Sequence, residues 1–475
     1  MKKRYKNIFT LLFIVTCFSA VSCNSENTNL VFTKNENNGY TLVAINDLSV
    51  TDVVVPQKYK GKKVTHIEKG VFDRCENLER ITIPFVGDSI EAEDNTSFAF
   101  LFDGNEYDST RIPNIKEVTI TGGTTIYENA FKHYSTIEKI TLPNTISKID
   151  ISAFENCTKL ESINIPDKVV EIGESAFKNC SSLKEILLPK NLKAIEKSTF
   201  QFCYQLENVN IPSGVTSIGV GAFGGCKVKQ INLDNIVDLG EGAFFDCDGL
   251  ESVKIPSSIK TINKNVFSNC DNLKNVEIEN GIESIGASAF SVCTSLKSIV
   301  IPDSVVSIGE SAFSWCESLE NITLPKNLKI IETQMFSYCA GLKNITLPNG
   351  LQIIGLSSFY ACENLEIVNI PDTVIKIDDY AFYCCSNLVN INMPKNLLVI
   401  GTSAFAYCAN LESVIIPNSV VGIGGYAFYD CTKLSIFCES SEESLASESV
   451  WNPSNRPVYW NHQWEYNEEG IPTPL

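Results

Sequence analysis

Phe154-Glu155-Asn156-Cys157-Thr158-Lys159-Leu160-Glu161-Ser162-Ile163-Asn164-Ile165-Pro166, followed by Val169, Ile172-Gly173 and Ala176, is one period of a pattern that fills most of this chain. Its Phe recurs at 131, 154, 177, 200, 223, 244, 267, 290, 313, 336, 359, 382, 405 and 428. Twelve of those intervals are 23 residues and one, after Phe223, is 21; Phe72 belongs to the same series ahead of an interruption. A fixed period of this length means stacked units, each burying its apolar face only against its neighbours. Alternation over Leu160-x-x-Ile163-x-Ile165 places a strand in every coil, so equivalent residues form ladders about 4.8 Å apart. Leu and Ile fill the interior behind the strand, and Phe, with Ala before it, fills the opposite wall. Pro166 and its equivalents stop the strand, because proline cannot donate to a central ladder. The turn formers after it, such as Asp167, Ser213-Gly214 and Asn349-Gly350, complete the corner.

The strand pattern and repeat length fit a leucine-rich repeat. Phe-x-x-Cys-x-x-Leu-x-x-Ile-x-Ile-Pro with a following Ile-Gly-x-x-Ala-Phe resembles the BspA-like subtype over roughly residues 39 to 460. The opening Gly39-Tyr40-Thr41-Leu42, Val53-Val54-Val55-Pro56 and Val64-Thr65-His66-Ile67 share the resemblance, as do Pro84-Phe85-Val86-Gly87 and Trp451-Asn452 to Trp460. The fold expected is a repeat solenoid: a right-handed leucine-rich-repeat coil with one parallel strand per repeat of about 23 residues. An irregular or short-helical wall lies opposite the strand, and both ends are capped. The resemblance implies a surface protein of a host-associated microbe, engaged in adhesion to host proteins or other cells.

Expected boundaries are a signal peptide at 1–22, an anchor and first cap at 23–70, and repeats at 71–434 with an insertion at 85–114. A closing cap at 435–466 and a tail at 467–475 complete the chain. Lys2, Lys3, Arg4 and Lys6 precede the apolar run Ile8 to Ala20, too short to span a bilayer and suited to a signal peptide. Ala20-Val21-Ser22-Cys23 then reads either as ordinary cleavage after Ser22 or as a lipobox with Cys23 acylated. The polar stretch Asn24 to Asn29 favours the second reading, which anchors the exported protein at the bacterial outer membrane or cell surface.

Net charge is −18, and removing the first 22 residues, with four bases and no acids, makes it −22. Such a chain lacks the clustered bases that displace counterions from nucleic acid, and its net charge disfavours anionic membranes. Contact with membrane is therefore expected only through the lipid.

Fourteen of the 18 cysteines occupy the Phe-x-x-Cys slot, with Tyr134 in the fifteenth; the others are Cys17, Cys23, Cys384 and Cys438. Stacked thiols near 4.8 Å are too far apart for a disulfide, which wants Cβ atoms about 3.8 Å apart. A uniform 23-residue period also lacks the short paired spacing of zinc sites. Packing is the expected role, with Cys384, off the ladder beside Cys385, a candidate for reactivity. The three histidines, His66, His133 and His462, are too scattered to build a catalytic pair. No enzyme, metal or cofactor is expected.

Gly173, Gly219, Gly286, Gly309, Gly355 and Gly401 share one slot, expected to be a permissive turn, which Asp150, Asn263 and Asp378 fill elsewhere. The residue after the repeat Leu alternates as Glu161, Lys184, Glu207, Lys229, Glu251 and Lys274, a structural charge ladder. Two surfaces are candidates for binding. Asn164, Asn210, Thr323, Thr346, Asn369 and Asn392 lie at the strand centre, where Thr and Asn either grip a ligand or satisfy one another. Trp315, Tyr338, Tyr360, Tyr380, Tyr383, Tyr407, Tyr426 and Tyr429 should stack as an aromatic stripe along the C-terminal half. Such rings either mark a binding site or shield the backbone. The expected function is a non-enzymatic binding or adhesion scaffold for a host or microbial protein. Capture of a glycan or nutrient is the alternative, and a spacer that binds nothing is a third reading.

Overall fold

The computed structural model describes residues 29–90, 96–102, 113–441 and 448–475; the expected signal peptide at 1–22 and Cys23 lie outside them. Each coil has three walls. The first is the expected strand, for example Ser162–Ile163, Glu185–Leu187 and Asn208–Asn210. It pairs in parallel and in register with the next coil, as in Glu185↔Asn208 and Leu187↔Asn210.

A second short strand follows the Pro turn, where one strand per coil was expected. Lys148–Ile149 pairs in parallel with Thr125–Ile126 on one side and Glu171–Ile172 on the other. Two residues are too short to announce themselves by alternation, yet Val169 and Ile172 are fully buried and pull this segment against its neighbours.

The third wall is neither irregular nor helical. Around each Phe the backbone alternates between right- and left-handed turns: Ser152 (φ 52°) and Asn156 (φ 63°) flank Phe154, and Ser175 (φ 57°) and Asn179 (φ 58°) flank Phe177. The alternation turns successive N–H groups toward the next coil. Ser152 donates to Glu174 at 2.9 Å, Phe154 to Ala176 at 2.8 Å and Asn156 to Lys178 at 2.8 Å. Carbonyls of the intervening residues face the preceding coil, so this wall is also a ladder, with all its donors pointing one way.

Inside, the Phe rings form one column. Phe154 and Phe177 stack at 5.1 Å, and Phe382 and Phe405 at 5.3 Å with planes 4° apart. The interruption belongs to this column. Phe98 lies 5.1 Å from Phe131, and its N–H donates to Ala130 as a repeat Phe would. Phe98, Ala99, Leu101 and Phe102 are buried in a 3₁₀ turn, Phe98–Phe102. Phe98 therefore occupies the Phe slot of a coil whose spacing, 26 residues from Phe72 and 33 to Phe131, hides it from a search at 23.

The slot glycines meet a steric demand different from the one expected. None of the six has a positive φ; a Cβ on Gly173 would lie 2.6 Å from the Ile151 nitrogen of the preceding coil. Close approach of backbones is what demands glycine here. The ends are closed as foreseen in kind but not in detail. At the N-terminus, Leu30–Lys34, Tyr40–Ile45, Lys62–Ile67 and Lys58–Tyr59 form a four-stranded sheet in that order. At the C-terminus, Trp451 is fully buried. Val450 and Trp451 carbonyls and the Ser454 hydroxyl accept the forward donors of Tyr426, Phe428 and Asp430. The expected tail is ordered too, since Trp464–Tyr466 pairs antiparallel with Pro472–Pro474.

Candidate functional site

The cysteine ladder is sealed. Cys157, Cys180, Cys247, Cys316 and Cys408 are fully buried, and each thiol donates to the Phe carbonyl of the preceding coil at 3.1–3.2 Å. Burial pushes these thiols up, Cys316 to about 12, so they stay neutral and unreactive. Cys384 is half-buried, and burial followed by the charge of Glu363 raises its pKa as well, which opposes the reactivity expected of it. His66 and His133 serve local networks: Asn35 bridges Thr41, Thr65 and His66, and Asn156 reaches the His133 ring at 3.1 Å. Among the described residues, no group of three or more His, Cys, Asp or Glu is placed to hold a metal ion.

On the strand face, the six Asn and Thr candidates are all exposed. Asn164 is committed to the fold: its amide donates to the Leu142 carbonyl and accepts from the Leu142 N–H, both at 2.9 Å. Thr346, Asn369 and Asn392 fall in one register across three coils and lie open. A shallow groove on the same face is lined by Glu185, Leu187, Asn208, Asn210, Lys229 and Gln230; Leu187, 74% exposed, stands out as its apolar element. Ion pairs Lys184–Glu161 at 3.2 Å, Lys229–Glu207 at 2.6 Å and Lys274–Glu251 at 3.4 Å tie coil to coil beside it.

The aromatic stripe is a continuous column on the third wall. Trp315 stacks on Tyr338 with centroids 3.8 Å apart, Tyr338 meets Tyr360 at 5.3 Å, and Tyr360 stacks on Tyr383 at 4.8 Å. Tyr383 meets Tyr407 at 5.2 Å and Tyr407 meets Tyr429 at 5.4 Å, while Tyr380 and Tyr426 pack edge-on at the side. Trp315 and Tyr338 cover each other's faces, as do Tyr360 and Tyr383, whereas Tyr383, Tyr407 and Tyr429 meet edge to face. Burial raises the Tyr360 hydroxyl and pushes Tyr383 up to about 12, keeping both as neutral donors at physiological pH. Trp315, Tyr380, Tyr407 and Tyr426 remain more than a third exposed.

Backbone geometry sets these rings apart. Trp315 (φ 61°), Tyr338 (φ 61°), Tyr380 (φ 56°), Tyr407 (φ 63°) and Tyr426 (φ 60°) occupy left-handed positions. In other coils Asn156, Asn179 and Asn269 take the place of Trp315, Tyr338 and Tyr407, and Asn129 and Asn265 that of Tyr380 and Tyr426, at small cost for that residue type. Bulky rings there oppose local preference, as do Phe202 (φ 63°) and Val292 (φ 59°) at the same place in other coils. A smaller cluster was also missed. Phe202 meets Tyr204 and Phe245 at 5.9 and 6.0 Å across the Gly224-Gly225 pair, which leaves the space these rings fill.

The family model described as "BspA type Leucine rich repeat region (6 copies)" matches residues 45–101, 124–250, 226–342 and 306–435. A solved leucine-rich repeat protein from Bacteroides ovatus is 27% identical with a TM-score of 0.60, covering 91% of this chain and 98% of that one. A leucine rich cell surface protein from Faecalibacterium prausnitzii is 25% identical with a TM-score of 0.44, over 77% of this chain and 93% of its own. Pneumococcal vaccine antigen PcpA is 20% identical with a TM-score of 0.40, over 92% and 93%. Comparison with curated proteins returns no match. The repeat geometry and the matched segments, which span most of the sequence, agree: the chain belongs to the BspA-type leucine-rich-repeat family.

Proposed function

We propose that this protein is an exported, surface-displayed scaffold that binds a protein partner and catalyses nothing. In this reading it is anchored through acylated Cys23, and the aromatic column from Trp315 to Tyr429 is its principal contact surface. The observation that carries it is the unbroken run of ring contacts from Trp315 to Tyr429, with Trp315, Tyr380, Tyr407 and Tyr426 more than a third exposed. Tyr and Trp edges carrying hydroxyl and indole donors suit a protein surface, where such residues dominate binding hot spots.

A glycan is the second reading, favoured by the open Thr346, Asn369 and Asn392 row on the strand face. Sugar rings stack on aromatic faces, and in the Trp315–Tyr338 and Tyr360–Tyr383 pairs those faces are occupied by neighbouring rings. The deciding experiment screens residues 24–475 against arrays of host extracellular-matrix proteins and host glycans, alongside a Tyr380→Ser/Tyr426→Ser variant. Protein hits that the variant loses support the column. Glycan hits that it keeps move the site to the strand face.

A further inference from the structure

Many lysines of the repeat array form ion pairs with a neighbouring coil, as in Lys197–Glu174 at 2.7 Å, Lys326–Asp303 at 2.7 Å and Lys395–Asp372 at 3.4 Å. One segment of the first cap stands apart. Lys58-Tyr59-Lys60-Gly61-Lys62-Lys63 carries four lysines and no acid in six residues, with Lys34 on another strand of the same sheet. Among the described residues, no carboxylate forms an ion pair with any of these five. Lys62 bonds the neutral Asn38 amide oxygen, and Lys60 lies 5.2 Å above the Tyr59 ring.

The segment is a tight hairpin. Lys60 (φ 47°) and Gly61 (φ 77°) form the two-residue turn, and Lys58 stands directly opposite Lys63. Two residues of positive φ are what a type I′ hairpin turn requires. Like charges facing each other across two strands are destabilising, and among the described residues no carboxylate pairs with either. The hairpin is held firmly from behind: Tyr59 stacks on Phe32 at 4.3 Å and meets Tyr40 edge-on at 5.0 Å. A rigid mount thus presents an uncompensated basic tip. The contrast with the rest of the molecule is sharp, since residues 29–70 hold six lysines against four carboxylates, whereas residues 71–475 hold 28 basic against 51 acidic residues.

We propose that the hairpin at 58–63 is a docking surface for the anionic phosphate headgroups of a membrane. The tether can reach that surface: with Cys23 as the anchored residue, seven residues lead to Leu30, reaching at most about 24 Å at full extension. That covers the distance back along the Leu30–Lys34 strand, about 14 Å, to the end of the sheet where the hairpin projects. One acyl-anchored terminus plus a basic patch is the two-signal arrangement that holds a protein to a membrane stably. The acidic array is no obstacle, because at physiological salt its field is screened beyond about 8 Å, less than two coils. Electrostatic docking at the cap would then seat the N-terminal end on the lipid while the array stays in solvent. The proposal rests on the reading of Cys23 only for the tether; the hairpin's own affinity can be measured without it.

The test uses residues 24–475, which contain every described element and no lipid, in flotation with vesicles of phosphatidylcholine alone or mixed with phosphatidylglycerol. Binding is expected only to the mixed vesicles, and should disappear near 1 M salt, where the Debye length is about 3 Å. Each lysine near an anionic surface contributes about fivefold, so Lys58→Gln/Lys60→Gln/Lys63→Gln should lower partitioning by about a hundredfold. Thermal unfolding of that variant should not fall, since all three side chains are exposed. Equal partitioning of variant and parent would overturn the proposal and leave the lysines as guards against pairing at the edge strand. Binding abolished by millimolar inorganic phosphate would overturn it in favour of a small-anion site. Neither result bears on the aromatic column, whose partner is assayed separately.

Discussion

The carbonyl oxygen of Phe223 accepts two hydrogen bonds: from the N–H of Cys226 in its own coil at 3.0 Å, and from the thiol of Cys247 in the next at 3.2 Å. The thiol is thus a donor as well as a filler. Cys247→Ala should destabilise the protein by about 1–3 kcal/mol through lost packing and a lost donor, with no dependence on reductant. Intact mass after alkylation, native against denatured, checks the premise: ladder thiols should react only once the chain unfolds.

Stability should fall steeply in alkali. Burial raises the Cys270, Cys316 and Cys362 thiols to about 12, whereas an unfolded thiol ionises near about 8.5. The folded state therefore keeps protons that the unfolded state has lost. The contribution is complete below pH about 8.5 and declines by about 1.4 kcal/mol per pH unit per thiol until pH about 12. Circular dichroism against pH should show a cooperative loss in that window. A Cys270→Ala/Cys316→Ala/Cys362→Ala variant should show a shallower one.

Gly173→Ala should destabilise by roughly 2–3 kcal/mol, because its Cβ would lie 2.6 Å from the Ile151 backbone nitrogen and two coils would have to separate. Gly422→Ala is the control. Nothing lies within 4 Å of a Cβ there and its φ is not positive, so thermal unfolding should be unchanged or slightly later. Equal losses at both sites would mean that flexibility, and not close approach, explains the glycines.

Trp315→Asn exchanges a strained ring for the residue that other coils use at the same place. Relief of the left-handed backbone, about 1–2 kcal/mol, should roughly offset the lost stacking on Tyr338, about 0.5–1.5 kcal/mol. Thermal unfolding should move little while affinity for the partner drops. A large loss of stability with binding intact would make the column a structural cover.

Cys23→Ala should release the protein from membranes into the soluble exported fraction, as read by fractionation and blotting. A variant that still sediments with membranes would place the anchor elsewhere.

Periodicity made the array legible because a ladder needs the same residue at the same place in every coil, and Phe, Leu, Ile and Cys obey it. The second strand was hidden by its length, since two residues such as Glu171–Ile172 cannot display an alternation. The coil containing Phe98 was hidden by its spacing. For the site, the stacking of Trp315 to Tyr429 followed from register alone. Which faces the rings leave open did not, because that depends on side-chain torsions. The left-handed slots were likewise unreadable, since Asn156 and Trp315 give no common signal. The charge total concealed the hairpin at 58–63, because a sum over 475 residues cannot report a local excess.

The forward-pointing donors of the third wall bear on how such a chain changes length over evolutionary time. Ser152, Phe154 and Asn156 give to one neighbour, and the carbonyls of the same wall receive from the other. Any coil thus offers its successor the same docking edge that it took from its predecessor. A duplicated 23-residue stretch can enter between two coils with its backbone satisfied, raising the far end by about 4.8 Å. The last coil has no such freedom, because its donors need Val450, Trp451 and Ser454. Gene duplication can therefore adjust the reach of the molecule in steps of one coil, while the two ends are inherited unchanged.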